Sequence, residues 1–94
     1  MKIKITESSG NVFKDLGFDD AEAEVMLMRS DLMIDLRLYI EKCGLTQAQI
    51  AKKLGITQSR VSDLIRGKWE KFNLEMLITL EGRLGRKVSL KLVA

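Results

Sequence analysis

The chain has 94 residues, which is enough for one small domain and no more. Because 46% of the residues are hydrophobic, a core can form, although a single core of this size is usually marginal and a second copy would enlarge it. The single cysteine, Cys43, excludes an intramolecular disulfide bond and fits a reducing compartment. No apolar run approaches the roughly 20 residues of a membrane span, and residues 1–5 lack a signal peptide's apolar stretch, so we expect a soluble, cytoplasmic protein.

The net charge of +3 is divided unevenly between the two halves of the chain. Residues 1–44 contain six Lys/Arg and nine Asp/Glu, a balance of −3, whereas residues 45–94 contain ten and four, a balance of +6. A basic region of this kind is the electrostatic footprint of a nucleic-acid-binding protein. Charge alone does not distinguish it from a solvated basic face, so the pattern of residues has to decide.

The spacing of apolar residues predicts a mainly α-helical domain with a short strand near each end. Lysine and isoleucine alternate at the start, which favours a strand over Lys2–Thr6, and Val12–Leu16 favours a single helical turn. Asp19, followed three residues later by Glu22, forms the pattern of a capping box and should open a long helix that ends near Cys43. In order, the chain divides into an N-terminal strand and turn (residues 1–18), a long helix (19–44), a pair of short helices (45–67), a further helix (73–85) and a C-terminal strand (87–93).

The predicted long helix carries a wide apolar stripe. Its first row has spacings of three and four: Val25, Met28, Leu32, Leu36, Tyr39, Ile40 and Cys43. A second apolar row runs beside it: Met26, Met33 and Leu38. Because one small domain can hardly cover both rows, the stripe indicates a partner surface.

Three shorter helices follow, each preceded by a side chain that can cap it. Thr46 opens a helix of about eight residues ending near Gly55, and Thr57 opens another ending near Gly67. Asn73 opens the last helix. The tail then alternates between two faces as a strand does, and one face is apolar: Val88, Leu90 and Leu92.

The two short helices contain the residues that a close crossing requires. The crossing needs a small residue, Ala51, and the turn needs one that tolerates a positive φ, Gly55. Apolar side chains must fill the angle between the helices: Ile50, Leu54, Ile56, Val61 and Leu64. These seven positions predict a helix-turn-helix, whose second helix lies in the major groove of DNA with its N-terminus at the base edges. The residues there are polar and can form hydrogen bonds with bases: Gln58, Ser59 and Arg60.

The stretch LTQAQIAKKLGITQSRVSDLIRGK resembles the phage-repressor (Cro/CI, or XRE) class of helix-turn-helix proteins. The flanking stretches NVFKDLGFDDAEAE and LGRKVSLKLVA resemble short XRE proteins of the HigA type, which are antitoxins of toxin–antitoxin modules. This resemblance implies a phage-repressor-like helix-turn-helix bundle of about five helices with short N- and C-terminal β-strands. It also implies a sequence-specific repressor that controls its own operon and binds a toxin.

The resemblance assigns roles to individual residues. The bases are read from the start of the second helix and from one residue a turn further on: Gln58, Ser59, Arg60 and Asp63. The phosphates are contacted from the start of the first helix and from the loop after the second: Thr46, Gln47, Arg66, Lys68 and Lys71. Asp63 departs from the commoner Gln, Asn or Arg of the class, and it could accept from cytosine N4 or orient Arg60.

Nothing in the sequence supports an enzyme, a cofactor or a metal site. The chain has no histidine, a single cysteine and no glycine-rich loop that follows a strand. Acidic residues cluster where a helix begins, and there they complement the helix dipole: Asp19, Asp20, Glu22 and Glu24. We therefore predict a protein that is not an enzyme.

Three functions stay open: a DNA-binding repressor that is also an antitoxin, a transcription regulator without a toxin, and an interaction module that has lost DNA binding. The basic second half and the polar helix tip argue against the third, and nothing in the sequence separates the first two. If a toxin exists, the acidic residues 1–30 are expected to bind it. We also predict a homodimer on a palindromic operator, joined partly by strand pairing through one apolar face: Val88, Leu90 and Leu92.

Overall fold

The computed structural model describes residues 2–5, as backbone only, and residues 12–93. In order, its elements are β1 (Lys2–Ile5), α1 (Val12–Asp15), α2 (Asp20–Lys42), α3 (Gln47–Leu54), α4 (Gln58–Ile65), a 3₁₀ turn (Trp69–Lys71), α5 (Leu74–Arg83) and β2 (Lys87–Leu90). The predicted fold class, a mainly helical bundle of five helices, is confirmed. Thr6 of the predicted first strand and the turn that follows it lie outside the described residues.

Four helices begin at the side chains that were predicted to cap them. Before α2, Oδ1 of Asp19 accepts a hydrogen bond from the backbone N–H of Glu22 at 2.8 Å, and the Glu22 carboxylate accepts in return from Asp19 N–H. Thr46 takes part in an equivalent capping box before α3. Thr57 before α4 and Asn73 before α5 each accept one backbone N–H of the first turn. These caps explain why the helix starts could be predicted closely.

Glycines end α3 and α4 in the left-handed conformation. Gly55 has φ +71° and Gly67 has φ +69°. In each case the next N–H reaches back five residues, from Ile56 to the carbonyl of Ala51 and from Lys68 to that of Asp63, both at 3.0 Å. These bonds satisfy carbonyl groups at the helix ends. The turn after α3 is sharp enough for α4 to begin directly after it in a new direction.

The core lies where α2 crosses the pair α3–α4 and helix α5. Its buried members come from all four helices and from the loop after α4: Leu32, Met33, Leu36, Ile40, Ile50, Ala51, Leu54, Val61, Leu64, Phe72, Leu77 and Leu80. Burial of each large apolar side chain contributes roughly 1.5–3 kcal/mol. The packing of α2 and α5 therefore fixes the orientation of the helix pair that carries the candidate site.

Helix α2 buries parts of both apolar rows. The buried residues are Leu32, Leu36 and Ile40 of the first row and Met26 and Met33 of the second. Val25 of the first row is exposed, as are Ile34 and Leu38. Because both rows are apolar, periodicity could not decide which residues the neighbouring helices would cover. None of the described helices, α2 included, is long and apolar enough to cross a membrane.

The two strands pair in parallel, with Lys2 opposite Lys87 and Ile5 opposite Leu90. β2 is shorter than the predicted strand, since it ends at Leu90, where the pairing with β1 also ends. Leu92 therefore lies beyond the strand. Within the described residues the sheet has two strands, and a ribbon of this size is marginal by itself.

A cluster of charged side chains joins α2, α5 and the start of β2. Arg86 forms an ion pair with Asp35 of α2, and its Nη1 lies 3.6 Å from Oε1 of Glu81 on α5. The same guanidinium lies 5.1 Å from the centroid of the Tyr39 ring. Glu81 is fully buried, and this burial, together with the nearby Asp35 carboxylate, raises the pKa of Glu81 to about 8 against the opposing effect of Arg86. At neutral pH the carboxyl of Glu81 is therefore mainly protonated.

Candidate nucleic-acid interface

The pair α3–α4 is held as one unit by its own buried side chains and by a brace from α5. Ala51 is buried at the crossing, as was predicted from its size. From α5, Nη1 of Arg83 donates a hydrogen bond to the Leu54 carbonyl at 2.7 Å, and a Cβ added to Gly55 would lie 3.1 Å from the same atom. Arg83 has no local signal in the sequence, because its partner lies 29 positions away.

The N-terminus of α4 presents two polar side chains to solvent. Gln58 and Ser59 are the first two residues of the helix, and both are exposed. The first turn is fixed by Thr57, whose hydroxyl accepts a hydrogen bond from the backbone N–H of Arg60 at 3.2 Å. The amide of Gln58 and the hydroxyl of Ser59 are therefore displayed from a rigid backbone, which is the arrangement that contact with base edges requires. Their assignment as base-reading residues stays a prediction.

Arg60, also predicted to read bases, has a partner inside the protein. Its Nη1 donates a hydrogen bond to the Lys71 carbonyl at 2.8 Å, and its guanidinium carbon lies 5.6 Å from the centroid of the Phe72 ring. Phe72 is itself buried in the core. Arg60 is thus partly buried and connects α4 to the loop that follows it, a role that has no local signal in the sequence.

Asp63 lies beside the loop after α4. Its Oδ1 lies 4.0 Å from Nζ of Lys68, and the Asp63 side chain is only 15% exposed. The ion pair of Asp63 is thus with Lys68, and the suggestion that Asp63 orients Arg60 stays a prediction. A contact with cytosine stays a prediction.

The residues predicted to contact phosphates lie at the start of α3 and in the loop after α4. Thr46 uses its hydroxyl oxygen to cap α3, and Gln47 is the exposed first residue of that helix. Arg66 and Lys71 are exposed, and Lys68 is half-buried beside Asp63. Trp69, in the same loop, is 38% exposed and borders a small groove with α2.

The three residues predicted for the dimer interface differ in exposure. Val88 packs against the core of its own chain. Leu90 is 69% exposed and Leu92 is fully exposed. An apolar surface that could contact a second copy therefore lies at the end of β2 and just beyond it.

Among the residues that the structure describes, no group of three or more His, Cys, Asp or Glu side chains could hold a metal ion. Cys43, a free thiol at the end of α2, donates a hydrogen bond to the Ile40 carbonyl at 3.4 Å and packs against the core.

The candidate site consists of the polar tip of α4, the start of α3 and the basic loop after α4.

Two short helices that cross at a small residue, with an exposed polar tip on the second, define a helix-turn-helix protein. A family model described as a helix-turn-helix domain matches residues 12–92. A solved structure described as an XRE family transcriptional regulator is 34% identical to the chain, with a TM-score of 0.71 over 78% of this chain and 82% of that one. No curated protein matches the chain. The chain belongs to the helix-turn-helix family and is of the XRE type. Both matches support DNA-binding transcription regulation as its class of function.

Proposed function

We propose that the protein is a sequence-specific transcriptional repressor that binds its own operator as a homodimer and acts as the antitoxin of a type II toxin–antitoxin pair. The observation that carries the DNA-binding part is the exposed pair Gln58 and Ser59 at the rigid start of α4, with a basic loop packed against the same helix. Such a helix places its N-terminal side chains at the edges of bases in the major groove.

The charge around this helix suits the DNA backbone. Residues 46–71 contain six Lys/Arg and two Asp/Glu, which gives a balance of +4. One of the two acids, Asp63, already has Lys68 as its partner. Cations that neutralise phosphates release bound counterions, so affinity should fall steeply as the salt concentration rises.

Each polar group at the tip has a chemically suitable target. The Gln58 amide can pair with N6 and N7 of adenine, and the Ser59 hydroxyl can bind several bases. Gln47 and Thr46 at the start of α3, and the cations of the loop, would contact phosphates and set the register of the protein on the duplex.

The dimer part of the proposal is supported by the exposed end of β2. The two-stranded sheet has unpaired edges, and Leu90 and Leu92 add apolar surface beside one of them. Pairing of two copies around a two-fold axis would extend the sheet to four strands and cover both leucines. Function also favours a dimer, because two recognition helices about 34 Å apart read two half-sites of a palindromic operator.

The antitoxin part is supported by the acidic first half of the chain and by a groove that Phe18 forms with the first turns of α2. This groove has a volume of about 330 Å³ and combines apolar walls with one carboxylate and one guanidinium: Phe18, Ala21, Glu22, Val25, Met26 and Arg29. Its walls suit an apolar side chain of a toxin, and the net acidic charge of the first half of the chain suits a basic one. A regulator without a toxin would have the same DNA site, so the neighbouring reading frame discriminates between the two: a small basic ribonuclease-like protein there favours the antitoxin.

A salt titration tests the DNA-binding proposal. The affinity for duplex DNA should fall linearly on logarithmic axes, and Lys68→Ala should reduce the slope by about 0.9, the value for one phosphate contact. Lys14→Ala is a matched control, because Lys14 is an exposed cation on α1 that pairs with Asp20 and lies outside the site. It should leave the slope unchanged. A flat titration of the wild-type protein would contradict the proposal.

A further inference from the structure

The loop after α4, residues 66–72, is bound to the recognition helix at both of its ends. At the near end, the backbone N–H of Lys68 donates to the Asp63 carbonyl at 3.0 Å, and the Lys68 side chain lies beside the Asp63 carboxylate. At the far end, Arg60 donates to the Lys71 carbonyl at 2.8 Å. The two loop cations that are candidates for phosphate contact, Lys68 and Lys71, therefore belong to the two segments that α4 holds.

The interior of the loop is also ordered by short-range bonds. Lys71 N–H donates to the Lys68 carbonyl at 3.1 Å, and Phe72 N–H donates to the Trp69 carbonyl at the same distance. Phe72 then anchors the loop in the core, where its ring lies under the guanidinium of Arg60. Arg60 therefore contacts both the backbone and the aromatic anchor of this loop.

We propose that Arg60 is a positioning residue, which holds the loop against α4 so that Lys68 and Lys71 meet the DNA backbone in register with the bases beneath Gln58 and Ser59. This inference rests on the proposed DNA-binding function and changes the role that the sequence suggested for Arg60. A guanidinium is suited to the task because it is planar and always charged, so it can donate to a carbonyl and lie over an aromatic ring at the same time. Lysine offers neither the planar stacking surface nor the fixed direction of its donors.

Binding data can distinguish an arginine that reads a base from one that acts through the loop. A base-reading arginine contributes to discrimination at one base pair and acts independently of distant phosphate contacts. An arginine that acts through the loop contributes to affinity for every sequence alike. Its contribution disappears once the loop cations have been removed, because residues that work through a common element are not additive.

The experiment is a double-mutant cycle between Arg60→Met and the pair Lys68→Ala with Lys71→Ala. The probes are a duplex selected by the wild-type protein from a random-sequence library, the same duplex with single base-pair changes, and a random-sequence duplex. Arg60→Met keeps an unbranched side chain that can pack on Phe72 but removes the donor and the charge. It should weaken binding to all three kinds of probe by roughly tenfold, equivalent to about 1.4 kcal/mol, and leave the ratios between them unchanged. In the background that lacks both loop lysines, it should have less than about a twofold effect.

Lys52→Met is the matched control, because it removes one exposed cation from α3, outside the loop. Its effect should be the same in both backgrounds. Arg60→Lys is the second variant if Arg60→Met does not fold, as judged by circular dichroism, and it should show the same dependence on the loop lysines.

Additive effects of Arg60 and the loop lysines, or a loss of discrimination confined to one base pair, would overturn the positioning role and assign Arg60 to base reading. Failure of the wild-type protein to bind any duplex in a salt-dependent way would contradict the proposed function itself. The two failures are thus distinguishable.

Discussion

Replacement of Glu81 by glutamine should remove a loss of stability that the wild-type protein undergoes in alkaline solution. Glu81 is buried beside Asp35 and Arg86, and its pKa in the folded protein is about 8, compared with an ordinary value of 4.5. Because the folded pKa is the higher of the two, the folded state keeps a proton that the unfolded state releases between them. This contribution to stability is complete below the unfolded pKa and is lost as the pH rises through the folded pKa.

The size of the effect follows from the two pKa values. Their difference is about 3.5, which at about 1.36 kcal/mol per pH unit corresponds to roughly 5 kcal/mol over the whole range. Between about pH 6 and pH 9, the contribution of such a group to the free energy of unfolding falls by about 2–3 kcal/mol. Small domains are stable by only about 5–15 kcal/mol, so a loss of this size is readily measured.

Urea unfolding followed by circular dichroism, at about pH 6 and about pH 9, measures this loss. Glu81→Gln should unfold with nearly the same free energy at both values, because the amide has the shape of the protonated acid and can donate to Asp35 but does not titrate. Glu75→Gln makes the same chemical change at an exposed position of α5 and should keep the pH dependence of the wild type. The reasoning is refuted if Glu81→Gln loses as much stability as the wild type, or if the wild type loses none.

Three further predictions concern the turn, the dimer and the toxin. Gly55→Ala should destabilise the fold by about 1–2 kcal/mol, because it forces a left-handed residue beside Arg83, whereas Gly82→Ala, on open helix surface, should be neutral or stabilising in the same thermal melts. Leu90→Lys should convert a dimer into a monomer in sedimentation runs at micromolar concentration and weaken operator binding; a wild-type monomer that binds one half-site tightly would rule the dimer out. Val25→Lys, in the groove that Phe18 forms with α2, should abolish co-purification with a toxin encoded next door, and retention of the toxin would exclude that groove.

The fold was predictable where local chemistry determines it. Asp19, Thr46, Thr57 and Asn73 can each cap a helix with their own side chains, so helix starts follow from a few adjacent residues. Gly55 ends α3 because the turn needs a positive φ. The position of the exposed tip of α4 was predictable for the same reason, since it follows from the cap before it.

Features that depend on distant contacts were not predictable. The residues of α2 that face the core are determined by the helices packed against it, and both rows are apolar, so the exposure of Val25 could not be predicted. The burial of Glu81 depends on Asp35 and Arg86, which come from another helix and from the strand segment. The position of Arg60 in α4 suggests a base contact. Its hydrogen-bond partner, the Lys71 carbonyl, lies 11 residues further along the chain and could not be predicted from adjacent residues.

Selection of DNA by the wild-type protein, followed by binding of Gln58→Ala, tests the central claim most directly. A random-sequence duplex library should yield a palindromic site, whose half-sites lie about one helical turn, or 34 Å, apart. Gln58→Ala should then cost about 1–3 kcal/mol on that site and little on random DNA, whereas Gln47→Ala, a phosphate contact by our assignment, should weaken both alike. If no sequence is enriched, or if Gln58→Ala weakens binding to selected and random DNA equally, α4 does not read bases and the account is contradicted.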